Sequence, residues 1–305
     1  MLRRPLTALL AAAALTGCGG HSAITGGGQV PSNEPLTVYV LMPRTPEGAD
    51  VIRGAKLALS EAGGRVGKRT VQFSSATEPD EEEGIASTVR DVVLDTGTIA
   101  VIGDLDARTA AVSAPLLNAV GLLHVSPVSP LPVAQPSALR TLFALGPSAD
   151  DQAAAIVAQA RGPIAVEAEP GGAALADAIR VRAGRTVTTE RARTVVYAGS
   201  DPVNARGVVR SVLKENRRAE IVLPARLAAL DTGPRIGVLA ADAPVPPGFA
   251  AAFPGEPPGP YARFGYDAMN DVLEALRRAG GRAPNRGAVI RAFRASPAAP
   301  LQLVD

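Results

Sequence analysis

Nucleophile–base chemistry needs a placed histidine, and only His124 lies in the body of the chain, inside the apolar run Leu122-Leu123-His124-Val125. A histidine in that setting reads as a core or strand-end residue, and no G-x-S-x-G elbow accompanies it to build a serine triad. Gly67-Lys68 does not complete a phosphate-cradling loop: the residue five places before Gly67 is Ala62, and Arg69 stands where a hydroxyl would hold magnesium. One cysteine and two histidines make neither an internal disulfide nor a structural zinc site. Catalysis is therefore not expected, nor is a metal or a cofactor. The pattern that does offer chemistry is Asp104-Leu105-Asp106-Ala107-Arg108-Thr109, which follows an apolar strand and opens a helix. Helix N-termini at the carboxyl ends of strands present free N–H groups to an anion.

Hydrophobic period predicts the elements that must hold this loop. Strands are expected over 36–42, 70–74, 99–103 and 122–125, alternating with helices over 47–62, 78–94 and 109–119. The acidic run Asp80 to Glu83 reads as a solvated helix start, complementing the dipole, rather than as a cation site. A second series follows: helices over 150–160, 172–183 and 202–216 among strands over 164–167, 194–198, 219–224 and 236–240. The Pro/Gly-rich stretch 243–260 reads as a crossing segment, before an amphipathic helix over 261–279 and a short one over 286–293. Strands alternating with helices predict an α/β fold of parallel sheets covered on both faces. The chain's 305 residues are enough for two such domains, and its 47% hydrophobic and 20% charged content is that of an ordinary globular protein. A balance of 31 Lys+Arg against 29 Asp+Glu excludes a broad nucleic-acid footprint.

At the N-terminus, Arg3 and Arg4 precede an apolar run from Leu6 to Leu15, the length of a signal-peptide core and too short to span a bilayer. Leu15-Thr16-Gly17-Cys18 resembles the lipobox of bacterial lipoproteins. That resemblance implies that residues 1–17 are removed and that Cys18, the one cysteine, carries a lipid anchor into the membrane. Residues 18–35, rich in Gly, Ser and Pro, read as a flexible tether.

Four stretches of the body resemble the leucine/isoleucine/valine-binding branch of ABC-transporter receptors, of the type I periplasmic binding fold. They are Gly54-Ala55-Lys56-Leu57-Ala58-Leu59 with Gly63-Gly64; Val101-Ile102-Gly103 with Thr109, Pro115 and Asn118; Val125-Ser126-Pro127; and Gly259-Pro260-Tyr261 with Tyr266-Asp267-Ala268. The resemblance implies two doubly wound parallel-sheet domains joined by a hinge. The first takes residues 36–145 plus about 256–295, the second, reduced, takes 146–255, and 296–305 form a C-terminal segment. It also implies a ligand carboxylate held by the loop of Asp106, Arg108 and Thr109 and by the next loop, with Ser126 and Ser129. Thr109 reads equally as a plain helix cap, Arg108 as a solvent-facing residue, and the two serines as turn residues. Tyr266 is placed with the ligand-facing residues of the long helix.

The family's ligand contacts are the places where this chain departs from its pattern. The aromatic wall falls on Glu47, the carboxylate-holding serine on Ala107, and the second-loop hydroxyl on Pro130. Farther on, an acid falls on Ala149 beside Asp150 and Asp151, an aromatic on Gly171, a tyrosine on Ser200 or Asp201, and the ammonium-neutralising acid on Ala225. A buried ammonium needs a carboxylate, which leaves Glu47, Asp150, Asp151 and Asp201 as candidates. Two functions follow. One is a solute-binding lipoprotein that closes on an amino acid or related carboxylate and presents it to an ABC-transporter permease. The other is a non-transporting sensory or protein-interaction lipoprotein on the same fold, such as an activator of penicillin-binding proteins.

Overall fold

The computed structural model describes residues 28–79, 81–105, 107–128, 138–199, 201–224, 227, 230, 236–241, 244–259, 261–297 and 301–304. Cys18, Asp106 and Ser129 lie outside the described residues, as do Pro130, Ser200 and Ala225.

The first series runs β1 (Leu36–Met42), α1 (Pro46–Glu61), a hairpin of β2 (Arg65–Val66) and β3 (Arg69–Thr77), α2 (Glu82–Leu94), β4 (Thr98–Gly103), α3 (Ala107–Ala119), β5 (Leu123–Ser126) and β6 (Leu142–Ala144). The second runs α4 (Ala149–Gln159), β7 (Ile164–Ala168), α5 (Ala173–Ala183), β8 (Thr194–Ala198), α6 (Pro202–Glu215), β9 (Glu220–Pro224) and β10 (Ile236–Ala241). The chain ends with α7 (Phe249–Ala252), α8 (Ala262–Ala279), α9 (Arg286–Ala292) and β11 (Leu301–Val304).

The strands sort into two sheets, ordered β2-β3-β1-β4-β5-β6 and β11-β10-β9-β8-β7. All neighbours are parallel except the β2–β3 hairpin and β11, which returns antiparallel beside β10. The two-residue period of the strands builds a core on each face. Leu36, Val38, Val40 and Met42 join Ile102 and Leu123 beneath α1, α8 and α9, while Leu41 and Val101 face Ile85, Val89 and Leu117 of α2 and α3. In the second sheet Ile164, Val196 and Val222 meet α4 and α5, and Val195, Tyr197 and Ile221 meet α6. Helices thus cover both faces of both sheets, as continuous apolar strands require.

The chain crosses between the sheets three times: from β6 to α4, from β10 back to α8, which packs on the first sheet, and from α9 to β11. The α8 return is fastened by two close approaches to α1. A Cβ on Gly54 would lie 1.9 Å from the Ala262 carbonyl oxygen, and one on Gly265 would lie 2.1 Å from that of Val51. Near the last crossing, Ser296 donates from its amide (2.8 Å) and its hydroxyl (2.5 Å) to Asp271 of α8.

Several sequence expectations change. The tether does not extend to residue 35: Val30 is buried, its amide donates to the Pro284 carbonyl, and Gln29 bridges to Asn285. Arg69 holds this docked stretch by donating to the carbonyls of Pro31, Ser32 and Glu34 at 2.7–3.0 Å. The helix expected from residue 78 starts at Glu82, because β3 runs on to Thr77 and the Glu78 amide still pairs with Met42. Within the expected C-terminal segment, 301–304 form the antiparallel edge strand of the second sheet. β2, β6 and α7 also went unread; each has four residues or fewer, too short to show a period.

Candidate functional site

In the first sheet the chain steps outward from β1 to β3, then jumps back across β1 to β4, which makes the β1–β4 boundary a topological switch point. Crevices for ligands form outside the carboxyl ends of strands at such points. The ends are level: Met42 pairs with Thr77, Leu41 with Gly103, and Ser126 with Ala144. The loops that follow these strands therefore share one edge. After β1, Thr45 caps α1 by accepting from the Gly48 amide at 3.2 Å, and half-buried Glu47 occupies the first turn. After β4, α3 begins, with Arg108 exposed and Thr109 buried.

The turn from β4 into α3 is held from below by a buried polar cluster. Asp104 has φ +67°, alone among the described non-glycine residues, and is fully buried. Its Oδ2 accepts from the Ser113 hydroxyl of α3 at 2.5 Å, and its carbonyl accepts from the Ser126 hydroxyl of β5 at 3.2 Å. His124 Nε2 also approaches Oδ2 at 2.9 Å, off the axis of a hydrogen bond, while Asp104 Oδ1 and His124 Nδ1 have no hydrogen-bond partner among the described residues. A left-handed aspartate is tolerated where surrounding contacts over-determine it.

The corresponding edge of the second sheet is acidic. Tyr197 of β8 is 2% exposed and donates to Glu169 Oε2 at 2.8 Å, in the loop after β7. Burial, then the hydrogen bond to Glu169, pushes its phenol well above the ordinary value. Glu169 Oε1 accepts from the Asp201 amide at 3.3 Å, and the Asp201 carboxylate caps α6 by accepting from Val203 and Asn204 at 2.7 and 3.3 Å. A Cβ on Gly172 would lie 1.6 Å from the Ala198 carbonyl oxygen, so the loops after β7 and β8 touch through bare backbone.

No family of known sequences and no curated protein matches the chain by sequence. Solved structures do match it by shape. An ABC transporter substrate-binding protein from Desulfitobacterium hafniense, solved with leucine, has a TM-score of 0.70 at 20% identity, over 86% of this chain and 89% of its own. A type 1 periplasmic binding protein from Bordetella pertussis has a TM-score of 0.69 at 13% identity, over 89% and 94%. A solute-binding protein from R. palustris, solved with benzoate, has a TM-score of 0.64 at 16% identity, over 85% of each chain. The chain has the type I periplasmic-binding fold.

Within this type I periplasmic-binding fold the expected residues separate. Glu47, Arg108, Thr109 and Ser126 come together at the carboxyl edge of the first sheet, and Asp201 lies at that of the second. Ser126 turns inward to Asp104. Asp151 is exposed and forms a capping box with Ser148, accepting from its amide at 2.9 Å and its hydroxyl at 2.5 Å, while Asp150 pairs with Arg182. Tyr266 is not at the strand ends: its hydroxyl donates to Glu61, the last residue of α1, at 2.5 Å, and its ring packs with Leu57 and Phe249. The sequence did not single out the roles of Asp104, Ser113 and Glu169, which the structure places in hydrogen-bonded clusters at the two edges. Only His124 gave a signal, a polar residue inside an apolar run. Among the described residues no group of three His, Cys, Asp or Glu side chains could hold a metal, and no helix is long and apolar enough to cross a membrane.

Proposed function

We propose that the protein is an extracytoplasmic solute-binding lipoprotein of an ABC transporter. It takes a small polar solute, an amino acid or related carboxylate, between the two α/β units and delivers it to a membrane permease; Cys18 anchors it to the bilayer. The observation that carries this is the pair of strand-end edges in a fold shared with solved solute-binding proteins, including ones solved with leucine and benzoate. The first turn of α3 offers N–H groups for a carboxylate, with Arg108 as its charged partner and Asp106, Thr109, Ser126 and Ser129 in or beside the loops. Glu47, Glu169 and Asp201 are the carboxylates at the two edges that suit a ligand ammonium.

Thermal shift of the chain against amino acids, small carboxylates, sugars and purines tests the proposal. A ligand at about 100 times its dissociation constant adds roughly 2.7 kcal/mol, a shift of a few degrees. Arg108→Ala should then weaken a carboxylate ligand about tenfold or more. One observation favours the second reading, an interaction lipoprotein without transport: Ser126, Asp151 and Asp201 spend their hydrogen bonds within the chain. A stable fold with no shift for any class would count against the first reading and favour the second.

A further inference from the structure

Three other helices of this protein neutralise arginines within their own length, among them α1, where Arg53 pairs with Asp50 at 2.5 Å. Asp177 and Arg180 of α5 lie 2.7 Å apart; on α8, Arg263 pairs with Asp267 at 2.7 Å and Glu274 with Arg278 at 3.2 Å. α6 does not. Arg206, Arg210 and Lys214 stand four residues apart, hence in one row, and all are exposed. Like charges at that spacing destabilise a helix. At the end of the row, the Asn216 amide donates to the carbonyls of Thr189 (2.9 Å) and Ala192 (2.7 Å). That link brings exposed Arg191 and Arg193 beside exposed Arg218. None of these six cations makes an ion pair with a described carboxylate. Of the nearby acids, Asp201 caps α6 and Glu215 accepts from the Ser211 hydroxyl at 3.0 Å, which leaves exposed Glu190 as the carboxylate beside six cations.

The fold leaves this row of cations unneutralised, at a cost to its own helix. We propose that the outer face of α6 docks on an anionic lipid surface. Charge complementarity supplies the attraction, since each Lys or Arg near an anionic leaflet strengthens binding several-fold. Exposed Val203 begins the same face, seven residues before Arg210, and offers an apolar contact at the interface. The choice of occupant rests on the lipid-anchor reading of Cys18. Gly28, the first docked residue, lies ten positions after Cys18, a reach of at most about 35 Å, so an anchored body stays next to a bilayer. The whole chain has a net charge of +2, so the remainder outside these six cations sums to −4, which keeps the attraction local to this face.

The test uses residues 19–305, which lack the acylated cysteine and contain every described element. They are sedimented with vesicles of phosphatidylcholine alone and of phosphatidylcholine with phosphatidylglycerol. Binding should require phosphatidylglycerol and weaken steeply with salt. Arg206→Gln/Arg210→Gln/Lys214→Gln should lose about a hundredfold in partitioning, at about fivefold per cation. Arg180→Gln/Arg277→Gln/Arg282→Gln, on other surfaces, should lose little. If the first triple variant fails to fold, Arg206→Lys/Arg210→Lys keeps the charge and should bind as the parent does. No binding to phosphatidylglycerol vesicles overturns the proposal, and so does an equal loss in the second triple variant. Tighter binding to a soluble polyglutamate peptide than to the vesicles also overturns it, in favour of an acidic protein partner. Acylation of Cys18 is measured separately, by labelled palmitate in whole cells, so failure of the docking face and failure of the anchor are distinguishable.

Discussion

His124 Nε2 lies 2.9 Å from Asp104 Oδ2 with both side chains almost wholly buried, one at the second position of β5 and the other just past the end of β4. The pair couples the edge of the sheet to the turn that opens α3, because the same oxygen also accepts from Ser113 of that helix. Asp104→Ala would leave the buried Ser113 hydroxyl without its acceptor. An orphaned buried polar group costs about 1–3 kcal/mol, which is the loss expected in urea unfolding. Asp104→Asn keeps an acceptor oxygen and should lose less. An Asp104→Ala variant as stable as the parent would show that the cluster does not hold the turn.

The α1–α8 contact is expected to be intolerant of a single methyl group. Gly54→Ala drives a Cβ into the Ala262 carbonyl at 1.9 Å, a backbone atom that cannot rotate away. Overpacking of this kind costs about 1–3 kcal/mol, and the upper end is expected here. Gly207→Ala on α6 meets nothing within 4 Å and has ordinary helical backbone, so it should stabilise the protein by about 0.5–1 kcal/mol. Thermal midpoints of the two variants, moving in opposite directions, check the assignment.

Tyr197 gives a prediction for alkaline pH. Its phenol is raised in the folded protein, by burial first and by Glu169 second, above the unfolded value of about 10. A raised acid favours the folded state while it is protonated. Its contribution is therefore complete below about pH 10 and is lost as pH rises toward the folded value. Tyr197→Phe removes this contribution. Urea midpoints between about pH 9 and 11 should fall less steeply in the variant than in the parent, with the remaining slope due in part to Tyr39 and Tyr266, which shift in the same direction.

The last crossing between the sheets depends on Asp271. Burial raises its carboxyl, and the two bonds from Ser296 oppose that shift. Ser296→Ala removes the hydroxyl bond and keeps the amide bond, at a cost of about 1.5–3 kcal/mol, the usual range for a hydrogen bond to a charged group. With one opposing bond gone, the Asp271 carboxyl should rise further. The destabilisation should therefore be largest at neutral pH and shrink as pH falls through the raised value. A loss that does not vary between pH 4 and 7 would refute this account.

The architecture was legible in the sequence because long apolar strands and amphipathic helices carry their period with them. The run 36–42 can only be a strand buried on both faces, and 261–279 shows one apolar stripe. The candidate site was legible only as a set of loops. Position along the chain located the turn before Arg108 and Thr109. It could not say that Ser126 turns inward, that Asp151 closes a capping box, or that Tyr266 reaches along α1 to Glu61. Ser126 and Tyr266 find partners 22 and 205 residues away in the chain, and Asp151 turns to Ser148, three residues back, rather than to the cleft.

By itself, the sequence determined the two series of alternating strands and helices and the absence of any spaced catalytic motif, since both depend on neighbours in the chain. The tertiary structure decided which polar groups meet. Asp104, Ser113 and His124 are separated by 9 to 20 residues, and Ser296 lies 25 residues from Asp271; each pair forms only after the sheets are assembled and the chain has crossed between them. It also decided that residues 28–35 lie docked, because the guanidinium of Arg69 and the pocket for Val30 exist only in the folded body. Period is a local property that survives in a string of letters, whereas a buried hydrogen bond is a property of packing, fixed by which donors are withdrawn from water together.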